Sequence, residues 1–564
     1  MAKARYKSLV HEGPLFPEKY AAKGFSFDGK KLTDQAEEMI WHWAIRRDTD
    51  YVKLDVAKKN FIASLKSVAG FELASTDDPK FKKLVDEMFV ENEKIKETKK
   101  NKTKAQKDAE KVKREELKEK YGFATVDGKK VPINGFMIEA AGPLISRGND
   151  PRLFTWKRTT EAGDVTVNLV AAPKEVVAAM KAKGFKVVSD PGVLWVFKYD
   201  IEITGKHPAL RKKVNFGAAS EIAQGQDKSK HEKALKLLKK WDAMQKHIEA
   251  GCKSGDEFER QRALVTYLIQ KTGIRVGNDR DLDSYADTAG ASTLKVGDVD
   301  FKGDVLQLHF LGKDSVPYFN EVELDPWAAK ALKDLARNRC ATEQLFDKVK
   351  SFDVGNFIKE VCPEASPKTF RSAIGTAALC EALAASKIGV NDEQKKAAFV
   401  RANLHVGKVL NHQKNIGKNY GDQAKKMNEA VAASKQKLID LGEDVSEKEV
   451  ELKKKLALAE KNGMKDAAAN LRERIKKNNE RLVKATMRVE ALETKKDLKE
   501  ATKQTALGTS LNSYCSPLVV YSWCKDVGVP TNKIYTKSQT VKFDWAATVS
   551  KDYWKSYLGY LKAE

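Results

Sequence analysis

The stretch TALGTSLNSYCSP, residues 505–517, decides how this chain divides. Before it, residues 416–503 are so rich in Lys, Glu and Ala that few of them could enter a core; after it the chain turns to glycine, hydroxyls, one tyrosine, one cysteine and a proline. Within the charged stretch, Met427, Val431, Ser434, Leu438 and Leu441 step by four and three, and so do Leu471, Ile475, Asn478, Leu482, Ala485, Val489 and Leu492. A narrow apolar seam with that step predicts a coiled coil. Gly442 and Asn462-Gly463 are the predicted breaks, with Ser446 and Glu449 as a capping box for a restart. Two such helices folded back antiparallel make a protruding arm, and residues 504–564 read as a small helical domain behind it.

Working outward, residues 1–205 read as mixed α/β, where short strands such as VTVNLVAA (165–172) and VLWVFKYD (193–200) alternate with helical stretches. A very basic helix is predicted from about Phe89 to Lys120, containing KETKKNKTKAQKDAEKVKREELKEK. It has too few apolar residues to bury a face, so it is either solvated or a positive arm along phosphates. Residues 206–415 read as mainly helical with one hairpin, in which DVLQLHFL alternates, GKDS turns and VPYFNEVEL alternates back. A chain of 564 residues is too long for one core. The expectation is an α+β multidomain protein with an N-terminal lobe at 1–205, a helical lobe at 206–415, a coiled-coil linker at 416–503 and a C-terminal domain at 504–564.

Charge narrows the partner. The chain carries 103 Lys+Arg against 79 Asp+Glu, a formal net charge of +24, and an excess of that size points to a polyanion, most often nucleic acid. No stretch approaches 18 consecutive apolar residues, which argues against a membrane. The opening MAKARYKSLVHEGPLF has no apolar signal core with a cleavage site, so no secretory targeting is expected. The six cysteines, at 252, 340, 362, 380, 515 and 524, include no CxxC pair, as in a reducing compartment and unlike a zinc ribbon. No GxxxxGK[ST] is present for ATP. Asp279, Asp281 and Asp283 open like a calcium loop but lack the glycine at position six and the glutamate at twelve. Neither cofactor nor metal is expected.

Tyr514 is the first candidate for chemistry. A phenol with a pKa near 10 is ionised in only about one molecule per thousand at neutral pH, a handicap of roughly 4 kcal/mol. A nucleophilic tyrosine therefore needs cations or a base beside it; without them it is a packing residue at a turn. KTGIRVGND puts Arg275 among glycines just past an apolar helix, and LGKDS puts Lys313 at the hairpin tip. PKTFRSAIGTA sets Arg371 near a helix start, and LNHQK sets His412 at a helix end. Composition and spacing alone do not single these four out.

Several dispersed motifs, taken together, do. SFDGK, KEKYGF, RGNDP, IRVGND followed by ADTAG, FLGKDS with YFNEV, KTFR, NHQK, ALGTS with the tyrosine, SWCKDVGVP and KIYTKSQ follow in order along the chain. In this it closely resembles eukaryotic-type DNA topoisomerase IB over nearly its full length. The resemblance implies Arg275, Lys313, Arg371, His412 and Tyr514 as the catalytic five. It implies Arg147, Lys230, Asn278, Arg280, Thr288, Lys368 and Thr509 as DNA contacts. It also implies two lobes clamping duplex DNA, and relaxation of supercoils through a 3′-phosphotyrosyl intermediate without ATP or metal. A monomer is expected, in the nucleus or another DNA-containing compartment such as a viral one.

The chain departs from the family pattern at three points. Ser513 stands where Asn usually precedes the tyrosine, Pro317 stands where the hairpin usually carries Arg, and ISRGN lacks the first Arg of the usual run. None of the catalytic five is lost, but sensitivity to camptothecin-type poisons, which bind beside that Asn position, is put in question. The long charged N-terminal tail of many relatives is also absent from this sequence. A tyrosine recombinase shares the Arg–Lys–His–Tyr set, yet the coiled coil before the tyrosine favours the topoisomerase. A non-enzymatic basic scaffold would bind DNA without changing its linking number.

Overall fold

The computed structural model describes residues 4–148, 150–278, 288–417 and 419–560. The chain is mixed α/β, with several small sheets and many helices, some of them long. It divides into two compact units that are discontinuous in sequence, Met1–Ser229 with Gly277–Ser351, and Lys230–Val276 with Phe352–Glu564. Residues 206–415, read as one block from the sequence, are thus shared between the two.

In the first unit a four-stranded sheet runs in the order Leu210–Asn215, Trp195–Ile201, Val165–Asn168, Lys186–Val188. Its last pair is parallel, with the helix Lys174–Ala182 between the two strands in sequence. The expected strands around 165–172 and 193–200 are both present. Val165, Val167, Phe197 and Tyr199 are buried together, as their alternation demands. A second core gathers Trp43, Phe61, Phe81 and Phe154, with the Trp43 and Phe61 rings stacked at 4.4 Å. The predicted hairpin pairs Val305–Gly312 with Val316–Glu323, closed by a 3₁₀ turn Lys313–Ser315, and Val299–Lys302 adds a third strand.

The basic helix differs from its expectation. It is two helices, Pro79–Lys100 and Lys104–Tyr121, divided where Thr103 and Gln106 form a capping box. That reciprocal pair satisfies two N-terminal donors and starts a new helix. Lys104–Tyr121 buries no residue at all.

The second unit is built on the helices Glu257–Thr272, Pro367–Ala384 and Asp392–Val409. Pro367 opens its helix at a position where a missing N–H costs nothing. Small residues are buried on both of the last two helices, Ala373, Gly375 and Ala377 on one and Ala398, Ala402 and Gly407 on the other.

Two long helices follow, Tyr420–Lys461 and Lys465–Ala501. Lys435 pairs with Glu493 at 2.5 Å and Arg472 with Glu460 at 2.6 Å, so the helices run antiparallel. The predicted seam faces inward, with Val431 and Val489 buried and Leu438, Leu471, Ile475 and Leu482 half-buried. Gly442 does not break the first helix, and Ser446 lies inside it rather than at a restart. A mid-helix glycine costs only about 1 kcal/mol, and the seam continues past it through Val445, Leu452 and Ala459, all buried. The chain turns only at Asn462-Gly463. The short helices Leu507–Ser513, Pro517–Val527, Thr531–Ile534 and Lys537–Phe543 complete the unit. Among the described residues, no helix is long and apolar enough to cross a membrane.

Candidate active site

Backbone pairing brings the two ends of the long helical pair together. Lys414 N–H donates to Gln504 O at 2.9 Å, and Ala506 N–H to His412 O at 2.7 Å. His412 and the entry to the Leu507–Ser513 helix are therefore neighbours, although the whole linker lies between them in sequence. Tyr514 ends that helix with φ −126° and ψ −44°, its N–H donating to Ser510 O at 2.9 Å. Its ring is buried, with 5 % of the residue exposed.

Arg371, in the second turn of the Pro367–Ala384 helix, is buried as well. Its guanidinium donates to the carbonyl of Gly273 and, at 3.2 Å, to that of Leu410. Gly273 and Leu410 cap the C-terminal ends of the Glu257–Thr272 and Asp392–Val409 helices, where helix dipoles favour a cation. Gly273 has φ +63°, a conformation that glycine adopts without strain. The guanidinium carbon lies 4.7 Å from the centre of the Tyr514 ring.

His412 stacks on the same ring at 5.3 Å with 23° between the planes. Its Nε2 is 3.1 Å from Arg371 Nη2. Arginine can only donate, so in this arrangement the ring nitrogen accepts and the imidazole is neutral. Burial, then Arg371 and Arg275, push its pKa down to about 3. Its Nδ1 has no hydrogen-bond partner among the described residues. With Nε2 accepting, the proton of the neutral imidazole sits on Nδ1, the nitrogen left without a partner among those residues.

The tyrosine responds oppositely. Burial by itself would raise the phenol pKa, but Arg371, by charge and by hydrogen bond, with Arg275 and Lys368 behind it, outweighs burial and holds it below 10. Arg275 is exposed just past the Gly273 cap. Four of the five residues in the expected catalytic set, Arg275, Arg371, His412 and Tyr514, thus gather in the second unit. Lys313 belongs to the first unit and stands exposed at the hairpin tip.

The expected DNA contacts fall in both units. Arg147 is exposed in a loop of the first unit, its carbonyl accepting from Ser315 Oγ at 3.3 Å. Asn278 Oδ1 accepts from Ser351 Oγ at 2.6 Å, and Thr288 is half-buried. Arg280, with Asp279, Asp281 and Asp283, lies outside the described residues. In the second unit Lys230 adjoins buried His231, Lys368 is exposed at the start of the Arg371 helix, and Thr509 is half-buried on the tyrosine helix.

Polar residues not singled out from the sequence support the same site. Thr376 Oγ1 donates to Tyr514 O at 3.1 Å. Asn403 Nδ2 donates to Leu507 O at 3.2 Å, and Ser510 Oγ donates to Asn403 Oδ1 at 2.6 Å. A threonine or asparagine inside a helical pattern carries no sequence signal for such contacts.

Three family models match the chain in order. The DNA-binding fragment of eukaryotic DNA topoisomerase I matches residues 4–211, its catalytic core 219–445, and the C-terminal topoisomerase domain 486–555. The chain belongs to the eukaryotic DNA topoisomerase I family. DNA topoisomerase 1 beta and 1 alpha of Arabidopsis thaliana are 31% and 32% identical to it over 97% of its length. DNA topoisomerase 1 of Homo sapiens is 29% identical over the same share of this chain and 71% of its own. The chain spans 59% of the length of the two Arabidopsis relatives.

Proposed function

We propose that this protein is a type IB DNA topoisomerase, relaxing supercoiled duplex DNA by transient cleavage of one strand, controlled rotation and religation. The observation that carries the reading is the buried Tyr514 phenol packed against both Arg371 and His412, with its pKa drawn below 10 by cations. A packing tyrosine needs no such company; a nucleophile at neutral pH does.

In this reading the Tyr514 oxygen gives up its proton to solvent and attacks a backbone phosphorus, and the bond to the 5′-oxygen breaks, leaving a 3′-phosphotyrosyl link. Arg275, Arg371 and His412 donate to the non-bridging oxygens as charge builds on them. Lys313 gives its proton to the departing 5′-oxygen, which otherwise leaves as a strongly basic alkoxide. One phosphodiester is exchanged for another of similar energy, so neither ATP nor a metal is required. Torsional strain drives rotation before the 5′-hydroxyl returns.

Residues 1–205 and 206–415 act as lobes closing on the duplex, 416–503 as the linker, and 504–564 as the domain that supplies the tyrosine. Arg147, Lys230, Asn278, Arg280, Thr288, Lys368 and Thr509 contact the DNA. The protein works as a monomer, and the compartment proposed is the nucleus. Its +24 charge makes binding steeply salt-dependent. Plasmid relaxation in EDTA without nucleotide is the test: both positive and negative supercoils should relax. Strict dependence on magnesium or ATP would sink the reading.

A further inference from the structure

The main chain just after Tyr514 is held at two points by one hydroxyl. Thr376 Oγ1 donates to the Tyr514 carbonyl at 3.1 Å and accepts the Ser516 N–H at 3.1 Å. Thr376 is 0 % exposed, so water cannot substitute for either bond. Mid-helix threonines commonly bond back to their own helix; this one reaches across to another segment. Beside it, a Cβ on Gly375 would stand 2.9 Å from Leu410 Cδ1 and 3.4 Å from Tyr514 Cβ, so glycine lets the tyrosine seat closely on this helix. Thr376 lies on the same rigid helix as Arg371, five residues further on. Tyr514 itself has left helical geometry, so its carbonyl is one of those that a helix end leaves without an internal partner.

We propose that Thr376 is a positioning residue for the nucleophile. By holding the carbonyl of Tyr514 and the N–H of Ser516, it fixes the main chain on the C-terminal side of the tyrosine side chain, the side that the Tyr514 N–H bond to Ser510 O leaves free. The phenol is thereby aimed at the guanidinium carried on the same helix. This rests on the reading of Tyr514 as the nucleophile. Misplacement of a reacting group by about 1 Å costs on the order of 100-fold in rate. Thr376→Val keeps the shape and removes both hydrogen bonds, whereas Thr376→Ser keeps the hydroxyl.

The test is single-turnover covalent cleavage of a duplex oligonucleotide that cannot religate, measured at saturating DNA across pH, alongside duplex affinity. Wild type should form the adduct, and Thr376→Ser should stay within about threefold of it. Thr376→Val should cleave about 100-fold more slowly with unchanged duplex affinity. The alkaline rise of its rate should move to higher pH, because the phenol no longer rests against Arg371. Thr376→Ala removes the hydroxyl without adding bulk and should behave as Val does if the Val variant fails to fold. Wild-type cleavage by a folded Val or Ala variant overturns the role. So does an equal loss in Ser and Val that tracks only the folded fraction. Absence of any adduct in wild type would instead defeat the nucleophile reading itself.

Discussion

The Arg371 guanidinium lies over the Tyr514 ring, its carbon 4.7 Å from the ring centre, while the same guanidinium is tied to the Gly273 and Leu410 carbonyls. One side chain therefore joins the ends of two helices to the phenol. A cation so fixed needs no reorganisation when charge develops nearby.

Arg371→Lys keeps the charge but loses the planar fork that makes these contacts together. Cleavage should fall about 100- to 1000-fold, and the buried carbonyls left without donors should lower stability by about 1–3 kcal/mol. Adduct formation and urea midpoints measure the two effects. Cleavage at the wild-type rate would show that the fork is dispensable.

His412 gives a pH dependence of stability. Its pKa in the folded protein is depressed from 6.5 to about 3, so as pH falls the unfolded chain takes the proton first. The stability tied to this group is whole above pH 6.5 and is lost as pH falls from there towards 3. His412→Gln removes that term, so the gap between wild-type and variant urea midpoints should shift in favour of the variant between pH 7 and pH 4. A gap independent of pH would mean that the imidazole is not held neutral.

Lys313→Ala tests the proposed acid. The nucleophile remains, but the 5′-oxygen has lost its proton source. A substrate with a 5′-bridging sulfur leaves without protonation, so it should largely restore cleavage by this variant. No restoration would remove Lys313 from that role.

Ser513, half-buried at the end of the Leu507–Ser513 helix, directly precedes Tyr514. Ser513→Asn should increase stabilisation of the cleaved complex by camptothecin, measured as adduct remaining after a salt challenge. Equal stabilisation in both proteins would make the substitution irrelevant to the drug.

Much of the fold was legible in the sequence wherever one periodic signal ran uninterrupted. The seam from Leu471 to Leu492 could be read because a two-helix arm has only one face to bury, and the hairpin around Lys313 because its two strands alternate. Gly442 misled because local propensity is weak against packing that continues on either side of it. The Thr103–Gln106 capping box sits inside a run of lysines with no apolar period on either side, so the helix boundary it sets has no hydrophobic pattern to mark it. Arg371, His412 and Tyr514 lie far apart in sequence and carry no mutual pattern. Only resemblance assembled them, and the contacts that hold them, from Thr376, Asn403 and the Gly273 carbonyl, depend on tertiary proximity that no local window contains.

The central claim is that Tyr514 is the nucleophile. Its most direct test is covalent capture, in which wild type and Tyr514→Phe are incubated with a duplex that cannot religate and the protein is digested for mass spectrometry. The variant loses one oxygen and keeps the ring that packs on His412, so it should fold and bind DNA. Wild type should carry the 3′-end of the cleaved strand on the peptide containing Tyr514, and the variant should carry none, with relaxation abolished rather than slowed. An adduct on the Tyr514→Phe protein, or a wild-type adduct mapped to another residue, would contradict the account.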